Sequence, residues 1–319
     1  MFESKFIRAA IDRSAETAVD RRKLLTLAGL AGAGAGAAVL TSASPALASP
    51  AAAGAPSDAS ILNFALNLEY LEAEFYLRAV TGEGLSDSMT GGVGTHGHVS
   101  GGRKVPFKTR AIANYAREIA TDEKSHVAFL RSALGGAKVA RPNISLDASF
   151  TAAAMAAGLI TKGQTFDPYA NEVNFLLAAF IFEDVGVTAY KGAAPFISNK
   201  TYLEAAAGIL AVEAYHAGII RSTLYGLGYE TPALYGAVQK ISDVRDSVDG
   251  RTDDDQGIGN QYASNLVPTD SNSIAYSRSA AQVLNVVYLT SESVTRGGFF
   301  PHGVNGAIRQ SGDFDYDGD

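Results

Sequence analysis

The chain contains no cysteine. Without a thiol it can build no disulfide framework, no cysteine-ligated zinc finger and no thiol nucleophile. Positive charge is also short: 26 Lys and Arg stand against 33 Asp and Glu, a net of −7, so no nucleic-acid partner is expected. Histidine is scarce, with five in 319 residues, so a recurring histidine spacing carries weight. The apolar run at 24–40 is short and diluted by glycine, so no stable membrane span is expected once it is removed. What remains is 47% hydrophobic residues, enough for one sizeable globular domain with appendages.

Residues 1–48 read as a targeting segment. A polar region ends in Arg21-Arg22-Lys23, the mildly apolar run follows, and Ala46-Leu47-Ala48 supplies a small-x-small cleavage site. Paired arginines before a weakly apolar core point to a twin-arginine export signal, hence to a periplasmic or extracellular protein. Residues 49–57, rich in Ala, Pro and Ser, read as a flexible linker.

Four long amphipathic helices are predicted between 58 and 230. The first is capped by Asp58 and runs to about Val80, and the second opens at Pro106 and ends near Leu134 at Gly135-Gly136. The third spans about Asn171 to Ala193 and the fourth about Asn199 to Leu227. The Gly-rich stretch 82–105 is a loop whose His96 and His98 are expected to be solvated. The 135–170 connection carries a short helix at about Ser149 to Ile160. Residues 231–319 form an extension packing on the bundle, with helices at 231–248 and 279–289. An aromatic loop at 296–306 docks Phe299 and Phe300 and leaves His302 as polar decoration. The acidic tail 313–319 begins like a calcium loop but lacks the closing glutamate.

Glu123 and His126, three apart, project from one face of the second helix. Glu213 and His216 repeat them on the fourth helix, 90 residues on, and Arg131 and Arg221 follow each histidine at the same distance. Glu69 and Glu183 occupy matching places on the first and third helices, 114 residues apart; the difference of 24 is the length of the 82–105 loop. Two helical hairpins therefore share one pattern, Glu on the first helix and Glu-x-x-His on the second. That set is known for dinuclear metal sites in bundle cores: carboxylates bridge two cations and offset their charge, while one imidazole per ion leaves positions open. Without cations, four buried carboxylates would repel one another. Arg131 and Arg221 lie on another helix face and are poorly placed to relieve them. Tyr76 and Tyr190 each sit seven residues after a glutamate, within ~20° of its direction, and either back that glutamate or simply pack in the core. Glu72 lies near the same face, and Glu74 points elsewhere.

The stretches 62–76, 166–171, 182–191 and 297–301 resemble the ferritin-like superfamily, and within it the desiccation-related ferritin-like proteins of bacteria and plants. The resemblance covers about residues 58–306. It implies an all-α, ferritin-like four-helix bundle with a long crossover between helices 2 and 3 and a C-terminal helical and loop extension. The 36-residue connection is long enough for that crossover: extended, it reaches ~119 Å against a helix of roughly 42 Å. It also implies two iron or manganese ions per chain on Glu69, Glu123, His126, Glu183, Glu213 and His216, with oxygen or peroxide as partner. Turnover would then be ferroxidase-like or like that of manganese catalases, which are near in fold. The alternative is a non-catalytic desiccation-stress protein in which metal only stabilises the bundle. A homo-oligomer is compatible with either.

Overall fold

The computed structural model describes residues 56–312. The segment 1–48 expected to direct export, most of the expected linker 49–57 and the acidic tail 313–319 lie outside the described residues. Seven α-helices form in this part of the chain: α1 (Asp58–Thr81), α2 (Arg110–Leu134), α3 (Ala148–Ala156), α4 (Glu172–Ala193), α5 (Lys200–Glu230), α6 (Ala233–Val248) and α7 (Ala280–Tyr288). Four two-residue strands make two small sheets. β1 (Val99–Ser100) pairs in parallel with β2 (Ile144–Ser145), and β3 (Gly259–Asn260) pairs antiparallel with β4 (Ala263–Ser264).

The helix ends differ from expectation for local reasons. Ser57, not Asp58, caps α1, its hydroxyl accepting from Ser60 N at 3.2 Å. Asp58 instead accepts from the backbone of Ser198 and Asn199, both at 2.8 Å, tying the start of α1 to the start of α5. The second helix begins at Arg110 rather than Pro106. Backbone donors of Lys108 and Thr109 are taken by the Glu172 carboxylate at 2.8 and 2.9 Å, which leads the chain past α4 before it coils. In the crossover, Gly158 adopts φ 60° and stops α3 at Ala156, short of Ile160. At the other end α5 continues past Leu227 to Glu230.

α1 and α2 run antiparallel. Asn63 near the start of α1 bonds Ala137 O (3.0 Å) and Val139 N (2.8 Å), while Ala79 O near its end accepts from Val105 N. α4 and α5 form the second hairpin, and the crossover 135–170 joins the two. α1 and α4 meet through aromatic rings: Phe75 stacks on Phe175 at 5.4 Å and meets Phe182 edge-on at 5.7 Å. α4 and α5 are apolar enough by length and composition to span a membrane, with mean hydropathy 1.4 and 1.3. α4 is the buried central helix of the bundle, and α5 carries the buried charges Glu213 and Arg221.

The extension is bolted to the bundle by charge as well as by apolar contact. Phe299 packs on Phe182 at 4.9 Å and Phe150 at 5.0 Å, as the sequence suggested. Asn305 and Asn67 exchange backbone-like bonds, both at 2.9 Å. Arg221, Arg245 and Arg278 interleave with Asp184, Asp249 and Asp255, all six buried. Arg278 also holds Thr188 Oγ1 at 2.8 Å.

Candidate metal centre

Four helices each bring side chains to one place in the bundle core. α1 contributes Glu69, Glu72 and Tyr76, and α4 contributes Glu183, Gly186 and Tyr190. α2 supplies Glu123 and His126, and α5 supplies Glu213 and His216. Helical periodicity puts each set on one face, and the apolar residues between them pull that face inward. All six predicted ligands are buried; His126 is the most exposed, at 8%.

Their donor atoms fall into two groups that share a residue. Glu69, Glu123, His126 and Glu213 offer atoms within 4.8 Å of one another, as do Glu183, Glu213 and His216. His126 Nδ1 lies 3.2 Å from Glu69, 3.4 Å from Glu213 and 3.7 Å from Glu123. His216 Nδ1 lies 3.0 Å from Glu123 Oε1 and 3.7 Å from Glu183. Glu123 and Glu213 thus each serve both histidines, and the rings stand 6.4 Å apart.

His126 Nδ1 hydrogen-bonds Glu69 Oε2 at 3.2 Å, but most of the other atoms crowd together without bonding. Both oxygens of Glu123 and of Glu213, Glu183 Oε2 and His216 Nδ1 are buried and have no hydrogen bond. His216 Nδ1 and Glu123 Oε1 approach within 3.0 Å but off the line that a hydrogen bond needs. An orphaned buried acceptor costs free energy, and here several face one space. Carboxylate oxygens and imidazole nitrogen are the donor types that iron and manganese accept, so the residues fit a metal pair.

Without a cation the centre balances its charge with protons. Burial, added to by neighbouring carboxylates, pushes Glu69, Glu183 and Glu213 up to about 8. Burial also drives Glu72 well above the usual carboxylate range, helped by Glu213. Glu123 is the exception: burial opposes its charge, but the two histidines outweigh burial and hold it at about 2. Burial would lower both imidazoles. Glu69 chiefly reverses this at His126, and Glu123 chiefly raises His216 to about 10. Removing these protons is the work a metal ion would do.

The tyrosines do bond the glutamates, but crosswise. Tyr76 on α1 donates to Glu183 on α4, and Tyr190 on α4 donates to Glu69 on α1. The expectation that each tyrosine backs the glutamate of its own helix is corrected: α1 and α4 run antiparallel, so a step of seven along one helix arrives opposite the other helix's glutamate. Both hydroxyls are driven well above their ordinary range, first by burial and then by the carboxylate each one touches.

Three features of the site carried no flag in the sequence. Asp122 Oδ2 sits 3.2 Å from His216 Nε2, on the side away from the carboxylates. Its only signal was its place next to Glu123. Gly186 is the second. A Cβ there would stand 2.8 Å from Glu213 Oε2 and 3.6 Å from Glu72 Oε1. Gly186 follows Glu72 by the same 114 residues that separate Glu69 and Glu183, so one half of the repeat gives up a side chain where the other supplies a carboxyl. The third is a cavity of about 20 Å³ bordered by Glu72, Gly186 and Tyr190.

The other flagged residues stand apart. His96, His98 and His302 are exposed and join neither donor group. Glu74 is buried against Arg78 (3.0 Å) and Arg141 (2.5 Å). Arg131 donates to Tyr70 Oη (2.5 Å) and Gly91 O (2.7 Å), and Arg221 to Asp184 (2.7 Å) and to backbone carbonyls at 256, 257 and 265. Arg131 pins the loop of its own hairpin and Arg221 pins the extension at 256–265, and neither bonds a glutamate of the centre. An apolar cavity of about 140 Å³, bordered by Phe150, Leu177, Ile241 and Val286, lies beside α3 and receives none of the six side chains.

A family model described as a ferritin-like domain matches residues 57–226. The desiccation-related protein PCC13-62 of Craterostigma plantagineum is 32% identical over 268 residues, 78% of this chain and 83% of that protein. The ferritin-like catalase Nec2 of Nesocodon mauritianus is 30% identical over 269 residues, 79% of this chain and 85% of that protein. No solved structure gives a significant match.

Proposed function

The chain belongs to the ferritin-like domain family, and from this we propose that it is an exported dinuclear iron or manganese protein that consumes hydrogen peroxide. The observation that carries this reading is the pair of donor groups sharing Glu213, with their orphaned oxygens facing one buried space. A relative carrying the name catalase supports peroxide over other oxygen species.

One ion would be held by Glu69, Glu123, His126 and Glu213, the other by Glu183, Glu213 and His216 with Glu123. When bound, a metal pair supplies the two electrons that one peroxide takes and the next returns, so that two H2O2 give two H2O and one O2. The chain's own part is to hold and to balance. Four ligand carboxylates match the charge of two divalent cations. Tyr76 and Tyr190 fix the orientation of Glu183 and Glu69 by one hydrogen bond each. Leu68, Leu71 and Phe182 wall the cavity beside Glu72 with apolar surface. Glu72, kept neutral chiefly by burial, can hold a proton in the same neighbourhood of Gly186 as Glu213.

The test counts equivalents. Protein loaded with manganese, and separately with iron, is mixed with excess peroxide; many equivalents consumed per chain are expected. Excess ferrous iron in air tests ferroxidase turnover. Consumption stopping at one equivalent per site in every case would leave the second reading, a metal-stabilised stress protein. Glu72 favours that alternative to the extent that a fifth carboxyl at the centre closes an open position. Export is tested apart from chemistry: with Arg21 and Arg22 both changed to Lys, mature protein should no longer accumulate outside the cytoplasm.

A further inference from the structure

The internal repeat relates the two halves of the centre residue by residue, so each departure from it sets one half apart. His216 Nδ1 faces the carboxylates, 3.0 Å from Glu123 Oε1, while its Nε2 lies 3.2 Å from Asp122 Oδ2. A carboxylate that accepts the outer N–H fixes the ring and its tautomer and directs the other nitrogen's lone pair inward. His126 Nδ1 faces the carboxylates in the same way, 3.2 Å from Glu69 Oε2, but its Nε2 meets no protein partner among the described residues. Val212 stands where the repeat would place a second aspartate, just before Glu213 as Asp122 stands just before Glu123.

Burial points the same way. The His216 side chain is 3% exposed and that of His126 is 11% exposed. Asp122 itself is 40% exposed, so solvent screens its charge, and what it supplies is the direction of one hydrogen bond. The carboxylates are shared, Glu123 approaching both histidines and Glu213 belonging to both donor groups, and the His126 group gathers four donors to the three of the His216 group, so the inequivalence rests on the outer nitrogen of each ring.

We infer that Asp122 makes the two metal positions inequivalent, the ion held through His216 binding first and more tightly than the ion held through His126. The inference rests on the dinuclear reading above. Asp122 acts through His216 and is a positioning residue.

Metal-stripped full chain is titrated with manganese(II), counting free ion by electron paramagnetic resonance and fixing each affinity by chelator competition. Wild type should bind two ions in two resolved steps. Asp122→Ala should weaken the first step by about 10- to 100-fold and leave the second within about 2-fold, and Asp122→Glu should recover part of the loss. Val212→Asp, which offers His126 the missing carboxylate, should strengthen the second step and draw the two together. Two ions bound with equal affinity in wild type, or an Asp122→Ala loss shared equally by both steps, would overturn the inference and spare the dinuclear site. Wild type that binds no manganese would overturn the dinuclear reading itself.

Discussion

Tyr190 on α4 donates its hydroxyl proton to Glu69 on α1, 121 residues earlier in the chain. With its counterpart from Tyr76 to Glu183, this bond laces the two hairpins together across the candidate metal centre. Tyr76→Phe should therefore cost about 1–3 kcal/mol, the range for a buried hydrogen bond to an ionisable group. A double-mutant cycle locates the bond. Tyr76→Phe with Glu183→Gln should couple, whereas Tyr76→Phe with Glu69→Gln should be additive in urea unfolding. Coupling found only in the second pair would contradict the crossed arrangement.

Removing metal should make stability depend on pH in one direction. Glu69, Glu183 and Glu213 sit at about 8 in the fold, against roughly 4.3 unfolded. Between those values the folded state holds more protons, so stability falls as pH rises. His216, at about 10 folded against roughly 6.5 unfolded, adds stability that is full below its unfolded value and lost as pH rises toward 10. Glu123, held at about 2, works in the opposite sense only in acid. The melting temperature of metal-free protein should thus fall steadily from about pH 6 to about pH 9. Metal-loaded protein has already lost these protons, so the gain on loading should grow over the same window. A flat metal-free profile would show that the carboxylates are not protonated as argued.

Gly186→Ala should separate fold from site. Alanine in a helix interior is favoured over glycine by roughly 0.5–1 kcal/mol. Its Cβ, however, would come within 2.8 Å of Glu213 Oε2 and displace that carboxylate. Metal-free melting temperature should hold or rise while metal uptake, read by elemental analysis, drops. Unchanged uptake would mean that Glu213 finds another rotamer without loss.

Arg278→Met should destabilise by about 3–5 kcal/mol, because Asp249 would be left buried without a cation and Asp255 would keep only Arg245. The loss should appear as one cooperative shift in urea unfolding, since Arg278 also bonds Thr188 on α4. An early separate transition of the extension would show instead that the network does not couple it to the bundle.

The repeat could be read from one sequence because its units are local. Glu and His three apart share a helix face whatever else the chain does, and Asn171, Asn199 and Ser279 cap their helices by bonds to residues two or three away. Those signals place four long helices, the two hairpins and the six side chains of the centre on defined faces. The cap at Ser57 and the helix start at Arg110 are not legible in the sequence because a distant partner decides them: Asp58 is occupied by the backbone at 198–199, and Glu172 holds the backbone at 108–109.

Sequence by itself determined what each helix presents: which residues point inward together, how the halves correspond, and that carboxylate and imidazole would gather in a core with too few cations of its own to answer them. Only the tertiary structure decided who meets whom between helices. The antiparallel approach of α1 and α4 crossed the tyrosines, the approach of α2 to α5 gave Asp122 to His216 and left His126 without an equivalent, and the return of the extension over α4 buried Arg221, Arg245 and Arg278 against three aspartates. Spacing along a chain fixes direction around one helix axis; distance between two axes depends on packing against every other element, and no single stretch of sequence contains it.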